Sequence, residues 1–172
     1  MSRFVAIHEA GHAVIGRVLG LSCGKVTVEP EPPRRAIWSE SGELIVAHKD
    51  GPDAHAEIWR RWSPWDSGTQ KQLDQAYVVM TLAGAEAERV LCGTVEPGID
   101  AGDLRIATRV IGNNPERLAK LRRKANALVR KHAVDIEKVA TALLERGTLY
   151  DLQVSRLLLG WTDKEVWAGR RL

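Results

Sequence analysis

Residues 8–12 read His8-Glu9-Ala10-Gly11-His12. On a helix His8 and His12 stand one turn apart on one face, so both imidazoles can hold one small cation. Glu9 lies roughly 100° round the same helix, placed to reach a water beside that cation without ligating it. A Zn²⁺ held this way lowers the pKa of its water from about 15.7 to about 7, and a neighbouring carboxylate can take the proton as the water attacks a carbonyl. The chemistry indicated is hydrolysis, most often of peptide bonds. Between Phe4 and Leu21 the only charged side chains are Glu9 and Arg17, while Val5, Ile7, Val14, Ile15, Val18 and Leu19 spread round the helix. Such a helix is buried on most sides. A carboxylate buried beside two imidazoles is costly unless a cation or water balances it.

Catalytic zinc usually takes three protein ligands and keeps a fourth position for water. A third histidine six residues after the second is absent, since position 18 is Val18. A carboxylate from a later helix is therefore expected, with Asp103, Glu88, Asp100 and Glu86 as candidates. In the helix that follows Thr69, the inward stripe is Leu73, Ala76, Met80, Ala83, Gly84, Ala87 and Leu91. Glu86 should point away from that stripe and Glu88 should flank it. Asp103 shares a face with Ile106, Ala107 and Val110, where it is either a first-turn charge favoured by the helix dipole or the third ligand. Facing alone ranks Asp103 and Glu88 above Asp100 and Glu86.

The elements that must carry these groups follow from periodicity. The first helix is expected from Ser2 or Arg3 to about Leu19, stopped by Gly20 and Gly24. Lys25 to Glu29 alternates like a half-buried strand, and Glu43 to His48 reads as a second strand that can pair with it. Such a small sheet beside the metal helix would offer an edge to an extended peptide. Residues 51–68, with Trp59, Trp62 and Trp65 among Arg60, Arg61 and Pro64, are hard to read: they suit a short helix leading into a loop, with the indoles packed on the core or, alternatively, forming an aromatic surface for substrate or a partner subunit. Thr69 and Gln72 have capping-box spacing for a long helix closed by Gly93. Another helix begins near Asp100 or Asp103. Leu118, Leu121, Ala125 and Leu128 form the stripe of the next, and Ile136, Val139, Ala140, Leu143 and Leu144 that of the one after, with Asp135 as its N-cap. Thr162 and Glu165 cap a short last helix with Val166 and Trp167. The expected fold is α+β and mainly α-helical, a zincin-type active-site helix with a small β-sheet near the N-terminus and a C-terminal helical bundle. One peptidase domain over 1–172 is expected: the active-site helix and small sheet in 1–50, the helices carrying the third ligand in 69–112, and a helical hairpin with C-terminal helices in 114–172.

Composition narrows the remaining classes. With 172 residues, 44% of them hydrophobic and 27% charged, the chain suits one globular domain with a real core. A net charge of +3 does not by itself indicate nucleic acid. Arg117, Lys120, Arg123, Lys124, Arg130 and Lys131 read as the solvated side of an amphipathic helix, and no nucleic-acid-binding motif accompanies them. Cys23 and Cys92 make neither a disulfide framework nor metal-type spacing, so a cytoplasmic location is expected. No run is long and apolar enough to span a bilayer, and the N-terminal apolar run is broken by His8, Glu9, His12 and Arg17, unlike a signal peptide. No phosphate-cradling glycine loop of an ATPase is present.

The chain resembles the peptidase domain of the FtsH family of AAA proteases. The resemblance rests on HEAGHAVIGRVLG at 8–20, KVTVEP at 25–30, LAGAEAERVLCG at 82–93, AGDLRIAT at 101–108 and VATALLERGTLYDLQVSRLL at 139–158, in family order. It implies a mostly helical zinc peptidase with one zinc per chain on His8, His12 and Asp103, and with Glu9 as general base. Glu88 matches a glutamate of the family's alanine-rich helix and suits the orientation of a ligand histidine. The family also places a short edge strand by the site. The sequence departs from the family in having Ala83-Gly84-Ala85 where a Gly-Gly-Arg run is frequent, and in lacking the family's transmembrane segments and ATPase module. The expectation is a stand-alone zinc metalloendopeptidase acting on peptides or unfolded proteins, with a separate ATPase or adaptor and a homo-oligomer left open. The alternative is a proteolytically inactive zinc-fold protein serving as an interaction or regulatory module.

Overall fold

The computed structural model describes residues 2–29, 37–38, 44–46, 55–62, 67–98 and 100–159. The elements run α1 (Arg3–Val18), β1 (Leu21–Thr27), β2 (Ile37–Trp38), β3 (Leu44–Val46), β4 (His55–Trp62), α2 (Gln70–Leu91), α3 (Ala101–Ile111), α4 (Pro115–Lys131), α5 (Ala133–Arg146), β5 (Thr148–Leu149) and α6 (Asp151–Leu159). The protein is α+β and mainly helical with a small sheet near the N-terminus, as expected; that sheet is three-stranded and antiparallel. No helix among the described residues is long and apolar enough to cross a membrane.

Local signals explain where the helices begin. Ser2 caps α1 by accepting from the backbone N–H of Phe4. Thr69 and Gln72 form a reciprocal capping box on α2, and Asn114 with Pro115 opens α4. In α5 the N-cap position falls to His132 rather than Asp135, which sits in the first turn beside His132 and Lys138. Leu144, expected inside, is 39% exposed, because the face of α5 that meets α1 is the one carrying Ile136, Val139, Ala140 and Leu143. The helix expected over Thr162 to Trp167 lies outside the described residues.

The sheet departs most from expectation. Its order is β4-β1-β5, so β1 pairs with residues 55–62 and with Thr148–Leu149, not with Leu44–Val46. The strand at 44–46 instead pairs with Ile37–Trp38 in a separate two-stranded sheet. Residues 55–62, expected as a short helix and loop, are therefore a strand. Trp59 is 43% exposed rather than on the core, with the Arg61 guanidinium 4.8 Å from its ring centre. Register shifts in the β1–β4 ladder at Leu21/Ser22 and Cys23/Val26 break the two-residue alternation from which strands are read. Trp65 and the side chain of Trp62 lie outside what is described.

The main core gathers residues from α1 through α6, among them Ile7, Val14, Val79, Ala107, Leu121, Ile136 and Val154. Ile58 of β4 joins Leu21, Leu73, Ala76 and Met80 in a second cluster. α1 is consequently enclosed by α2, α5 and the sheet, which accounts for its unbroken run of buried residues from Ala6 to Gly16. Its histidines meet other protein atoms rather than bulk water.

Candidate metal centre

His8 and His12 lie on the face of α1 that meets α2, and both are buried. The two helices cross closely because they meet through small residues. A methyl added to Gly11 would stand 2.8 Å from Ala87 Cβ and 2.9 Å from the Ala83 carbonyl oxygen. At Gly84 the consequence is chemical: an added Cβ would lie 2.6 Å from Nε2 of both His8 and His12. The α2 backbone at Gly84 thus covers the two nitrogens without touching them.

Each imidazole is oriented through its other nitrogen. His12 Nδ1 is 2.9 Å from the Met80 carbonyl oxygen, which can only accept, so Nδ1–H donates and Nε2 is left with a lone pair. His8 Nδ1 donates to Glu88 Oε1 at 2.5 Å, and Glu88 Oε2 accepts the backbone N–H of Glu96 at 2.7 Å. Glu88 is fully buried and its carboxylate is committed to holding His8. The rings meet edge to face with centroids 4.7 Å apart.

The third member arrives from α3. Asp103, in the first turn of that helix, brings Oδ2 to 3.1 Å from His8 Nε2 and 3.2 Å from His12 Nε2, while the two Nε2 atoms are 3.0 Å apart. His8, His12 and Asp103 form a group whose ligand atoms converge on one point. Tetrahedral zinc with bonds of about 2.0–2.1 Å separates its ligand atoms by roughly 3.3 Å, close to these edges. Three unprotonated atoms at such distances repel one another, so a positive charge, carried by protons on the imidazoles or by a bound cation, must lie among them. The donor set of two imidazoles and one carboxylate fits Zn²⁺ and leaves a fourth position for water. Asp103 is partly exposed, its side chain at 21%, so the site opens on the α3 side.

The electrostatics agree with that charge requirement. Burial alone would lower the His8 pKa, but hydrogen bonds to Asp103 and Glu88 outweigh it and raise it to about 10. His12 is likewise raised, burial being overcome by the Asp103 charge. Burial works against ionised Asp103 as well, yet the two imidazoles hold its carboxyl well below the usual carboxylate range. The Glu9 charge contributes in the same direction to both histidine shifts, and Glu9 is buried. Cys23 is no competing nucleophile, since burial and the nearby Asp151 carboxylate push its thiol up to about 12.

Of the four carboxylates considered for the third position, the structure brings Asp103 to the histidines and sets Glu88 behind His8. Asp100 is the N-cap residue of α3 and makes no side-chain capping bond. Glu86 does point away from the α2 stripe, but not into solvent as that direction implies: it is buried, accepting from Arg122 Nε at 2.7 Å, Asn126 Nδ2 at 2.8 Å and Arg89. α4 covers that face. Two contributors to the centre are invisible at the level of residue chemistry, the Met80 carbonyl and the space left at Gly84. Gly84 stands beside Ala83 in the expected stripe, where a second small residue signals close helix approach but not what lies opposite. Beside Asp103, residues that include Leu82, Ala85, Leu104 and Leu118 line a cavity of about 40 Å³. No family model matches the chain, and no curated protein matches it.

Proposed function

We propose that the protein is a zinc-dependent metalloendopeptidase of the FtsH-like type, hydrolysing peptide bonds in peptides or unfolded polypeptides. The observation that carries this reading is the convergence of His8 Nε2, His12 Nε2 and Asp103 Oδ2 within 3.0–3.2 Å of one another. The neighbouring Glu9 supplies the base. His8, His12 and Asp103 would hold the metal, and Glu88 and the Met80 carbonyl would fix the two rings so that only Nε2 faces it. A Zn²⁺ so bound supplies a Lewis acid that makes water acidic enough to deprotonate near neutral pH. Glu9 would take the proton from the attacking water as the new C–O bond forms and would then deliver it to the amine nitrogen, allowing the tetrahedral adduct to collapse with cleavage of the peptide C–N bond.

β4 is an outer strand of the three-stranded sheet, and through Ile58 it packs against Gly16 of α1 and Met80 of α2. It is the strand we assign to receiving an extended substrate, in place of the segment at 43–48. Unfolded chains suit such an edge because their backbone donors and acceptors are unpaired.

Purified protein should carry about one zinc per chain and cleave an unfolded protein, with activity removed by a chelator and restored by zinc. Zinc retention with no cleavage of any unfolded substrate would replace this reading with that of a metal-stabilised interaction module.

A further inference from the structure

Lys71 and Gln75 of α2 face Arg117, Lys120, Leu121 and Lys124 of α4 across a cleft of about 610 Å³. That volume lies within the range of small-ligand sites. Four cations line it. Along α4, Arg117, Lys120 and Lys124 are spaced i, i+3 and i+7, one charged group on each successive turn over about 10 Å. Like charges at that spacing weakly destabilise a helix, a cost that a bound anion would relieve.

Some of the described cations have found carboxylates. Arg60 binds Asp74, Arg89 and Arg122 bind Glu86, Lys138 meets Asp135 and Arg3 meets Glu137. Lys71, Arg117, Lys120 and Lys124 have no ion pair or side-chain hydrogen bond with any described residue. Asp74 feels the Arg117 charge, but its carboxylate is held first by Arg60 and then by Gln70. Gln75, one turn from Lys71, adds an amide donor and no negative charge.

We propose that this cleft binds a small oligophosphate, an anion with several negative groups a few ångströms apart. The Arg117 fork suits a two-point contact with one phosphate, and the lysines act as point charges on its neighbours. The concave shape favours a compact ligand over a nucleic-acid helix, whose convex backbone needs a broad surface. The assignment does not depend on the metal centre.

The test is calorimetric titration of the full chain with inorganic tripolyphosphate and ATP at low ionic strength. Binding should be saturable and should weaken by at least about tenfold in Lys120→Gln/Lys124→Gln, the scale of one lost charge-assisted contact. Arg123→Gln/Lys131→Gln removes the same charge from α4 outside the cleft and should change affinity by no more than about threefold, a general screening effect. Equal affinity for both probes points to free oligophosphate, and tighter ATP to a nucleotide; either supports the cleft. Equal weakening in the two double variants, loss of binding in Asp103→Ala, or an RNA oligonucleotide that binds and ignores the cleft substitutions would overturn it. Circular dichroism on each variant separates lost binding from lost fold.

Discussion

Glu86 and Glu88 are two residues apart on α2, both buried, and they meet opposite fates. Glu86 is surrounded by donors: Arg122, Asn126 and Arg89 satisfy it and balance its charge. Glu88 faces His8, whose far nitrogen points with His12 Nε2 and Asp103 Oδ2 at a common centre. In the first cluster donors match acceptors and the ion group is complete. In the second, three potential ligand atoms crowd together, and protons on the imidazoles or a cation must balance them. That imbalance, rather than burial or charge alone, separates a structural ion cluster from a candidate metal site.

Substitutions can break the contrast, and the largest effect is expected at the ligands. His12→Ala should leave zinc content near zero in metal analysis, since two ligands make a much weaker site than three. Gly84→Ala should come next, its methyl being directed at both Nε2 atoms, with metal lost while the α2 helix itself is unharmed. Glu88→Gln should weaken zinc affinity by about 10–100-fold in a competition titration, the usual scale for a residue that orients a ligand. Arg122→Ala should do the reverse, leaving zinc affinity unchanged and costing about 1–2 kcal/mol in denaturant unfolding. That is less than for a fully buried pair, because the guanidinium is half exposed. Equal effects of Glu88→Gln and Arg122→Ala on zinc would erase the distinction.

A smaller effect sharpens the comparison through pH. With the His8 pKa raised to about 10 in the absence of metal, zinc binding at pH 7 must displace a proton. Calorimetry in buffers of different ionisation enthalpy should register that release. For the metal-free protein the sign follows from the raised value: the His8 contribution to stability is complete below about 6.5 and is lost as pH rises through about 10. Its Tm should therefore fall over that window, while the zinc form should change less.

Much of the centre was legible from residue types. The one-turn spacing of His8 and His12, the inward face of Asp103 and the flank position of Glu88 are all local consequences of helical period. What escaped depends on contacts distant in sequence. Glu86 is covered by a helix that begins at Pro115, and β4 was obscured because bulged pairing with β1 disrupts alternation. The Met80 carbonyl is a backbone group that any residue would supply, and Gly84 matters for the room it leaves. The helices were more legible than the sheet because their caps are local, whereas strand partners are chosen across the chain.

The central claim is that Glu9 moves a proton at a metal site it does not hold. Glu9→Gln, paired with wild type for zinc content and cleavage of an unfolded protein, tests it most directly. The account predicts about one zinc per chain in both proteins and a loss of cleavage of at least about 10²–10⁴-fold in the variant. Cleavage at the wild-type rate with zinc retained would contradict it.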